Sequence, residues 1–206
     1  MSIVNTRYVK FPNCLQIDQL KIKYHDVLIY CAIRSFDNPK EGCFPAYETV
    51  GERAGCHRDT VMESVKRLVD ADLISYEQEI KKVHPVNVYS FPKDWSYSRI
   101  PYEVFHVTDL SLHEKAMLIN VRQFFQDGEL TALKTVSKMS QLSGITYQSI
   151  KKQITALIEK GYITELPKRK NSKRVHCYKL TEKINWKYDY NKVNDKKKPT
   201  LKIKVG

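Results

Sequence analysis

Glycine is scarce in this chain of 206 residues. There are seven, and neither GxGxxG nor GxxxxGK followed by Ser or Thr occurs. A glycine-rich loop that cradles a nucleotide's phosphates is thereby excluded. Cysteine is as thin: five residues, an odd number, with no CxxC pair and no regular spacing. That pattern speaks against a disulfide framework and against a zinc module. Long apolar runs are missing too, and the mean hydropathy is −0.49, which excludes a membrane-spanning helix. The opening MSIVNTRYVKFPNC lacks the apolar stretch of a signal peptide, so a cytoplasmic location is expected.

What the chain does have is positive charge, unevenly placed. It carries 35 Lys and Arg against 23 Asp and Glu, a formal net charge of +12 and a pI near 9.4. Residues 1–165 hold 21 basic and 20 acidic side chains, whereas residues 166–206 hold 14 basic and 3 acidic. Nearly the whole excess sits in the last fifth. A local basic segment on an otherwise balanced protein points to a polyanion, bound by neutralising phosphates and releasing counterions. A solvated tail is the competing reading. At 42% hydrophobic residues the chain can bury a core of one or two small domains.

The most informative pattern is a repeat at a spacing of 89. Gly55-Cys56-His57-Arg58-Asp59-Thr60-Val61 corresponds to Gly144-Ile145-Thr146-Tyr147-Gln148-Ser149-Ile150. Val61, Val65, Leu68 and Val69 in the first copy match Ile150, Ile154, Leu157 and Ile158 in the second. Both sets follow i, i+4, i+7, i+8, one face of an α-helix. Gly161 and Asp72 stand where each helix should end, at a position that favours positive φ. Upstream, short amphipathic helices are expected over Ala46–Ala54 and Thr135–Ser143, with Val50 and Met139 buried. Longer apolar helices are expected over Lys23–Phe36 and Leu112–Phe125, with Leu28 and Leu118 shifted by one residue. Downstream, Ile74–Gln78 pairs with Val86–Phe91 through Glu79–Pro85, and Tyr162–Leu166 with Val175–Leu180 through Pro167–Arg174. The stretch PKDWSYSRIP, Pro92–Pro101, reads as a linker.

Three helices with a tight turn at Gly, followed by a hairpin, resemble the winged helix-turn-helix module. The resemblance rests on FPAYETVGERAGCHRDTVMESVKRLVDADLI and TALKTVSKMSQLSGITYQSIKKQITALIEKGYI. With its lead-in, the first copy looks like the helix-turn-helix domains of plasmid and phage replication initiators and related bacterial regulators. The expected fold class is mainly α with small β-hairpins (α+β), two winged helix-turn-helix domains in tandem. The first spans 1–94, a linker 95–101, the second 102–188 and a basic tail 189–206. The resemblance implies a third helix in the major groove and a wing on the flanking backbone or minor groove.

With the apolar rows inward, Arg58, Asp59, Met62, Glu63 and Lys66 face outward on the first such helix, and Tyr147, Gln148, Lys151, Lys152 and Thr155 on the second. Arg can fork onto guanine O6 and N7, Gln can pair with adenine, and Asp or Glu can accept from cytosine N4. Thr146 sits at the helix N-cap, with His57 its counterpart. The second wing tip carries Lys168, Arg169, Lys170, Lys173 and Arg174 with no acid, a self-repelling loop that suits an anion; the first offers Lys81, Lys82 and His84 behind Glu77 and Glu79. The second unit is therefore expected to anchor on phosphates, while the first tunes specificity or contacts a protein. The tail is readable as a flexible basic arm or, over Thr200–Val205, as an added strand. Trp95 and Trp186 are expected as packing anchors, with base stacking the other option.

Enzyme chemistry is not expected. The six His are scattered, Cys43 and Cys56-His57 lack further ligands nearby, and Asp70/Asp72 and Glu77/Glu79 suit solvated surface. Cys31 reads as core. The expected partner is double-stranded DNA, with the chain itself or replication or transcription proteins as further candidates. No cofactor, metal, membrane or small-molecule substrate is called for. Two linked readers would recognise unlike half-sites about one helical turn apart. Origin recognition, a repressor or activator role, and a protein-interaction module with a nucleic-acid-binding tail all remain open.

Overall fold

The computed structural model describes residues 7–81, 83–92, 96–126, 130–167 and 177–188. Their order is β1 (Tyr8–Pro12), α1 (Asp26–Arg34), α2 (Tyr47–Ala54), α3 (Arg58–Asp70), β2 (Ser75–Lys81), β3 (His84–Ser90), β4 (Tyr97–Pro101), α4 (Glu103–His106), α5 (Leu112–Arg122), β5 (Thr131–Ala132), α6 (Val136–Ser143), α7 (Tyr147–Glu159), β6 (Ile163–Leu166) and β7 (Cys177–Leu180). The fold is a mixture of helices and small antiparallel sheets.

The repeat is visible in the element lengths. Helices α2 and α6 each have 8 residues, and α3 and α7 each have 13. Val50 and Met139 are buried at equivalent places, as are Val61, Val65 and Leu68 and their counterparts Ile150, Ile154 and Leu157. These rows lie against the leading helices α1 and α5, which are buried nearly throughout and form the centre of the core. Between the short and the long helix of each set, Gly55 and Gly144 adopt left-handed backbone, φ 77° and 68°. Each closes the preceding helix by donating to a carbonyl four residues back, Gly51 or Ser140. Asp72 and Gly161 turn the chain after the long helices at φ 55° and 74°.

Two polar ties set the angle between the leading and long helices. The Asp26 carboxylate, fully buried at the start of α1, accepts from Ser64 Oγ at 2.7 Å, Arg67 Nε at 2.8 Å, Arg67 Nη2 at 2.9 Å and the Lys23 backbone at 2.7 Å. The Asp26 hydrogen bonds hold the Arg67 guanidinium above its ordinary pKa. In the second set, Ser111 and Glu114 form a reciprocal capping box on α5. Glu114 then accepts from Lys160 Nζ at 2.8 Å, just past α7. Burial raises the Glu114 carboxyl, but Lys160 and Ser111 outweigh it and hold the group below its ordinary value.

The two sets share a seam. Strand β1 pairs antiparallel with β4, Tyr8 opposite Pro101 and Pro12 opposite Tyr97. Helix α1 packs on α5. Asn120 on α5 donates to the Tyr24 carbonyl at 2.9 Å, and Tyr102 donates to the Ser35 carbonyl at 2.9 Å. Ahead of α1, Ile17 N donates to the Ser143 carbonyl at 2.8 Å and Gln16 to the Leu142 carbonyl at 2.9 Å.

Several expectations need correction. The stretch expected as a linker contains β4, because alternate residues Ser98 and Ile100 are buried beneath the ribbon with Val9 and Phe11. The Glu79–Pro85 connection is mostly strand: Glu79 pairs with Val86, Ile80 with Pro85 and Lys81 with His84. The leading helices are shorter than Lys23–Phe36 and Leu112–Phe125. At the first, the Asp26 carboxylate captures the Lys23 N–H and makes a turn before helix begins. At the second, Arg122 Nη1 donates to the Phe125 carbonyl at 3.0 Å, where the chain is already turning. Strand β5, which extends the β6–β7 pair to three strands in the order β5-β7-β6, was not expected. Trp186 is buried, with the Arg122 guanidinium 5.6 Å from its ring. Trp95 and residues 189–206 lie outside the described residues.

Two stability predictions follow from these contacts. D26A should lower the unfolding free energy by about 3 kcal/mol, since it leaves the Arg67 guanidinium without its buried carboxylate; urea denaturation at pH 7 measures it. G55A should cost about 1 kcal/mol for left-handed backbone alone, because nothing lies within 4 Å of the added Cβ. G144A should cost clearly more: its Cβ would overlap the Asp18 carboxylate and sit 2.9 Å from the Asp18 backbone nitrogen. Equal losses for the two variants would show that the segment around Asp18 does not press on this turn.

Candidate nucleic-acid interface

The outward row of α3 stands as expected. Arg58, Asp59, Met62, Glu63 and Lys66 are all exposed. They project because Val61, Ser64, Val65 and Leu68 fill the opposite face. The charges of this row are largely compensated. Arg58 Nε lies 2.6 Å from Glu48 Oε1 in the first turn of α2, and Arg58 Nη1 is 3.8 Å from Asp59 Oδ1. Glu63 lies 3.4 Å from Arg67 Nη1. Lys66 makes no ion pair among the described residues.

A polar chain runs from this helix into the wing. The Arg58 guanidinium sits 5.8 Å from the Tyr47 ring centre. Tyr47 Oη accepts from Asn87 Nδ2 on β3 at 3.0 Å, and Asn87 Oδ1 accepts from Gln78 Nε2 on β2 at 3.5 Å. Residues from α2, α3 and both wing strands therefore form one connected surface. Lys81 turns away from it: its Nζ sits 3.7 Å from the Phe44 ring centre and donates to the Glu41 carbonyl at 3.4 Å. Lys82 lies outside the described residues. At the wing tip Ile80 and Val83 are 81% and 85% exposed, an apolar end behind Glu77 and Glu79.

The second set presents a different surface. Thr146 caps α7 by accepting from the Ser149 backbone, where His57 in the first set makes no side-chain cap bond. Tyr147, Gln148, Lys151, Lys152 and Thr155 are exposed. Lys151 and Lys152 have no carboxylate partner among the described residues. Beside them runs a groove of about 370 Å³ lined by Thr135, Ser137, Tyr147, Lys151, Thr155 and Tyr178 with other residues of α6, α7 and the sheet. Thr135 caps α6 by accepting from the Lys138 backbone, so a helix N-terminus opens on the same groove. Hydroxyl donors, a free ammonium and a helix N-terminus are groups that contact phosphate oxygens. Glu165 also lines the groove and subtracts from its positive character. The expected wing-tip cations Lys168, Arg169, Lys170, Lys173 and Arg174 lie outside the described residues.

Tyr47, Glu48 and Asn87 were not singled out in the sequence. Tyr47 and Glu48 read as ordinary first-turn residues of α2, and their link to α3 depends on how the two helices cross. The groove hydroxyls Thr135, Ser137 and Tyr178 were missed for the same reason. A spacing signal existed only for Thr135, which opens the helix expected over Thr135–Ser143.

Elsewhere the chemistry is that of packing. Burial holds the Cys31 thiol far above its ordinary range and pushes Cys43 up to about 12, which leaves both protonated. Among the described residues, no group of three His, Cys, Asp or Glu side chains is placed to share a metal ion, and no helix is long and apolar enough to cross a membrane.

No curated protein sequence matches this chain. Residues 21–74, from the lead-in of α1 through α3, match the family model of a helix-turn-helix domain, and that match supports DNA as the partner of this part of the chain.

Proposed function

We propose that the chain is a noncatalytic double-stranded-DNA-binding protein with two winged helix-turn-helix units in tandem. Its targets are an origin or operator, in replication initiation or its control. The observation that carries this is the repetition of one arrangement. A short helix, a left-handed glycine and a 13-residue helix with an exposed polar row occur in the matched domain and again 89 residues later. In this reading α3 and α7 each enter a major groove, and β2–β3 and β6–β7 are wings on the flanking backbone.

The division of labour follows from charge. Lys151, Lys152, the groove beside α7 and the cations of residues 168–174 supply phosphate contacts. The row of α3 carries Asp59 and Glu63 beside Arg58 and Lys66, a poorer polyanion surface but one rich in groups that discriminate bases. A transcriptional repressor or activator uses the same surfaces and is the nearest rival within this class. A second reading, in which the first unit docks a protein, is favoured by the exposed apolar wing tip at Ile80 and Val83.

Binding to a 30-base-pair duplex should weaken steeply between 50 and 200 mM KCl, by about three orders of magnitude if some six phosphates are neutralised. Replacing Lys151 and Lys152 by Ala should weaken binding to all sequences alike and flatten the salt slope by about two ions. Fluorescence anisotropy reads both. A chain that ignores every duplex at 50 mM salt would sink the proposal. A first-unit fragment has no place in this test, because β1 needs β4 and the segment before α1 leans on α6.

A further inference from the structure

Arg58 is held in a way its exposure does not require. Its Nε lies 2.6 Å from Glu48 Oε1, and its guanidinium carbon is 5.8 Å from the centre of the Tyr47 ring, whose hydroxyl accepts from Asn87 in the wing. The two side chains of the ion pair are 47% and 60% exposed. A pair so open to water contributes little to stability. Its consequence is orientation. A guanidinium has five N–H donors in a rigid fork, and the Glu48 carboxylate lies against its Nε edge at ion-pair distance. The terminal amino groups, with Nη1 3.8 Å from Asp59 Oδ1, carry the parallel N–H bonds that match guanine O6 and N7. Arg58 is also the first residue of α3, where the helix dipole disfavours a cation. Glu48 and the more distant Asp59 offset that cost while the charge still faces outward.

We infer that Glu48 is a positioning residue that sets Arg58 as a guanine reader in the first unit, with Tyr47 as the platform. This rests on the proposed reading of DNA by α3. Glu48 acts through Arg58. It touches no base itself, and its carboxylate limits the directions in which the Arg58 fork can point. Specificity for one base pair thus depends on a residue of α2, the helix that does not enter the groove.

The test is selection from a randomised duplex library with the full chain at fixed salt, comparing wild type, R58A, E48A, E48Q and the double variant R58A/E48A. All sites are exposed, and thermal melts verify the fold. R58A should abolish a guanine preference at one base pair. E48A should reduce the preference at that same pair about tenfold, the order of one well-made fork to guanine. E48Q, which keeps an acceptor oxygen, should retain part of it. In the R58A background E48A should change nothing further. Three results would overturn the inference: an unchanged guanine preference in E48A, a change at a different base pair, or an even gain in affinity for all sequences, the mark of a charge that merely repels phosphate. If R58A alters no base preference while duplex binding persists, the inference falls and the DNA-binding reading stands. If the wild type binds no duplex, that reading falls with it.

Discussion

The orientation of the long helices depends on one constraint: a carboxylate in the first turn of each leading helix must find a cationic donor on the long helix that crosses it or at that helix's end. Asp26 is the stronger case. A fully buried carboxylate loses its water and needs several donors to compensate. Here Ser64, Arg67 and the Lys23 backbone supply them. Because two of the donors belong to one guanidinium, the geometry tolerates little rotation of α3 about its own axis. Apolar side chains of similar volume could match the stability of such a pair, but they would not fix the direction in which Arg58 and Lys66 point. The second set reaches the same end with different residues. Glu114 lies in the first turn of α5, and Lys160 follows α7 rather than sitting within it. Tyr162 reinforces the contact by donating to Asp109 at 2.5 Å. The two ties do not align in the repeat, so it is the constraint and not the residue pair that recurs.

The seam between the sets extends that constraint to the whole molecule. The segment before α1 is not a lead-in to the first set alone. Ile17 and Gln16 bond to the end of α6, and Asp18 lies against Gly144. Strand β1 at one end of the first set closes on β4 at the other, and Val9, Phe11 and Ile100 are buried beneath the ribbon. Around the α1–α5 contact, Tyr24 Oη lies 2.9 Å from His113 Nδ1, and the His25 and His113 rings are 5.4 Å apart. Buried backbone bonds and apolar contact across this seam oppose independent movement of the two sets. For a duplex reader, a fixed separation makes the spacing of half-sites part of the recognition.

The periodic part of this fold and its two local hairpins were legible in the sequence, and the pairings between distant segments were not. The apolar rows of α3 and α7 recur four to eight residues apart on one helix, so local reading finds them, and the 89-residue repeat adds a second copy of the same evidence. The outward row follows from the inward one, which is why Arg58, Lys66, Gln148 and Lys151 stand where they were expected. Strands β1 and β4 escaped because each is five residues long with a terminal Pro, and each finds its partner across the whole first set. Strand β5 has two residues and no pattern to detect. Asp26 reads as an ordinary acid in a first helical turn; its partner Arg67 is 41 residues away. Glu48 and Arg58 are ten residues apart on different helices, and only the crossing of α2 and α3 brings them together.

The uneven distribution of charge then has a structural meaning on the proposed reading. Along α3, acids lie beside the cations: Glu48 from α2 and Asp59 flank Arg58, and Glu63 leans on Arg67, which Asp26 already claims. Such a surface offers directed hydrogen bonds with little net field, so it discriminates among bases more than it attracts a duplex. The exposed row of α7 bears Lys151 and Lys152 with no acid between them, next to a groove of hydroxyls. That surface attracts any duplex and distinguishes few. Joined by a rigid seam, the second surface raises the local concentration of DNA at the first, and the first decides where the complex stays. Neither property requires the two sets to be equally good readers. The loss of symmetry between them, in caps, ties and charge, is what lets one chain divide affinity from specificity.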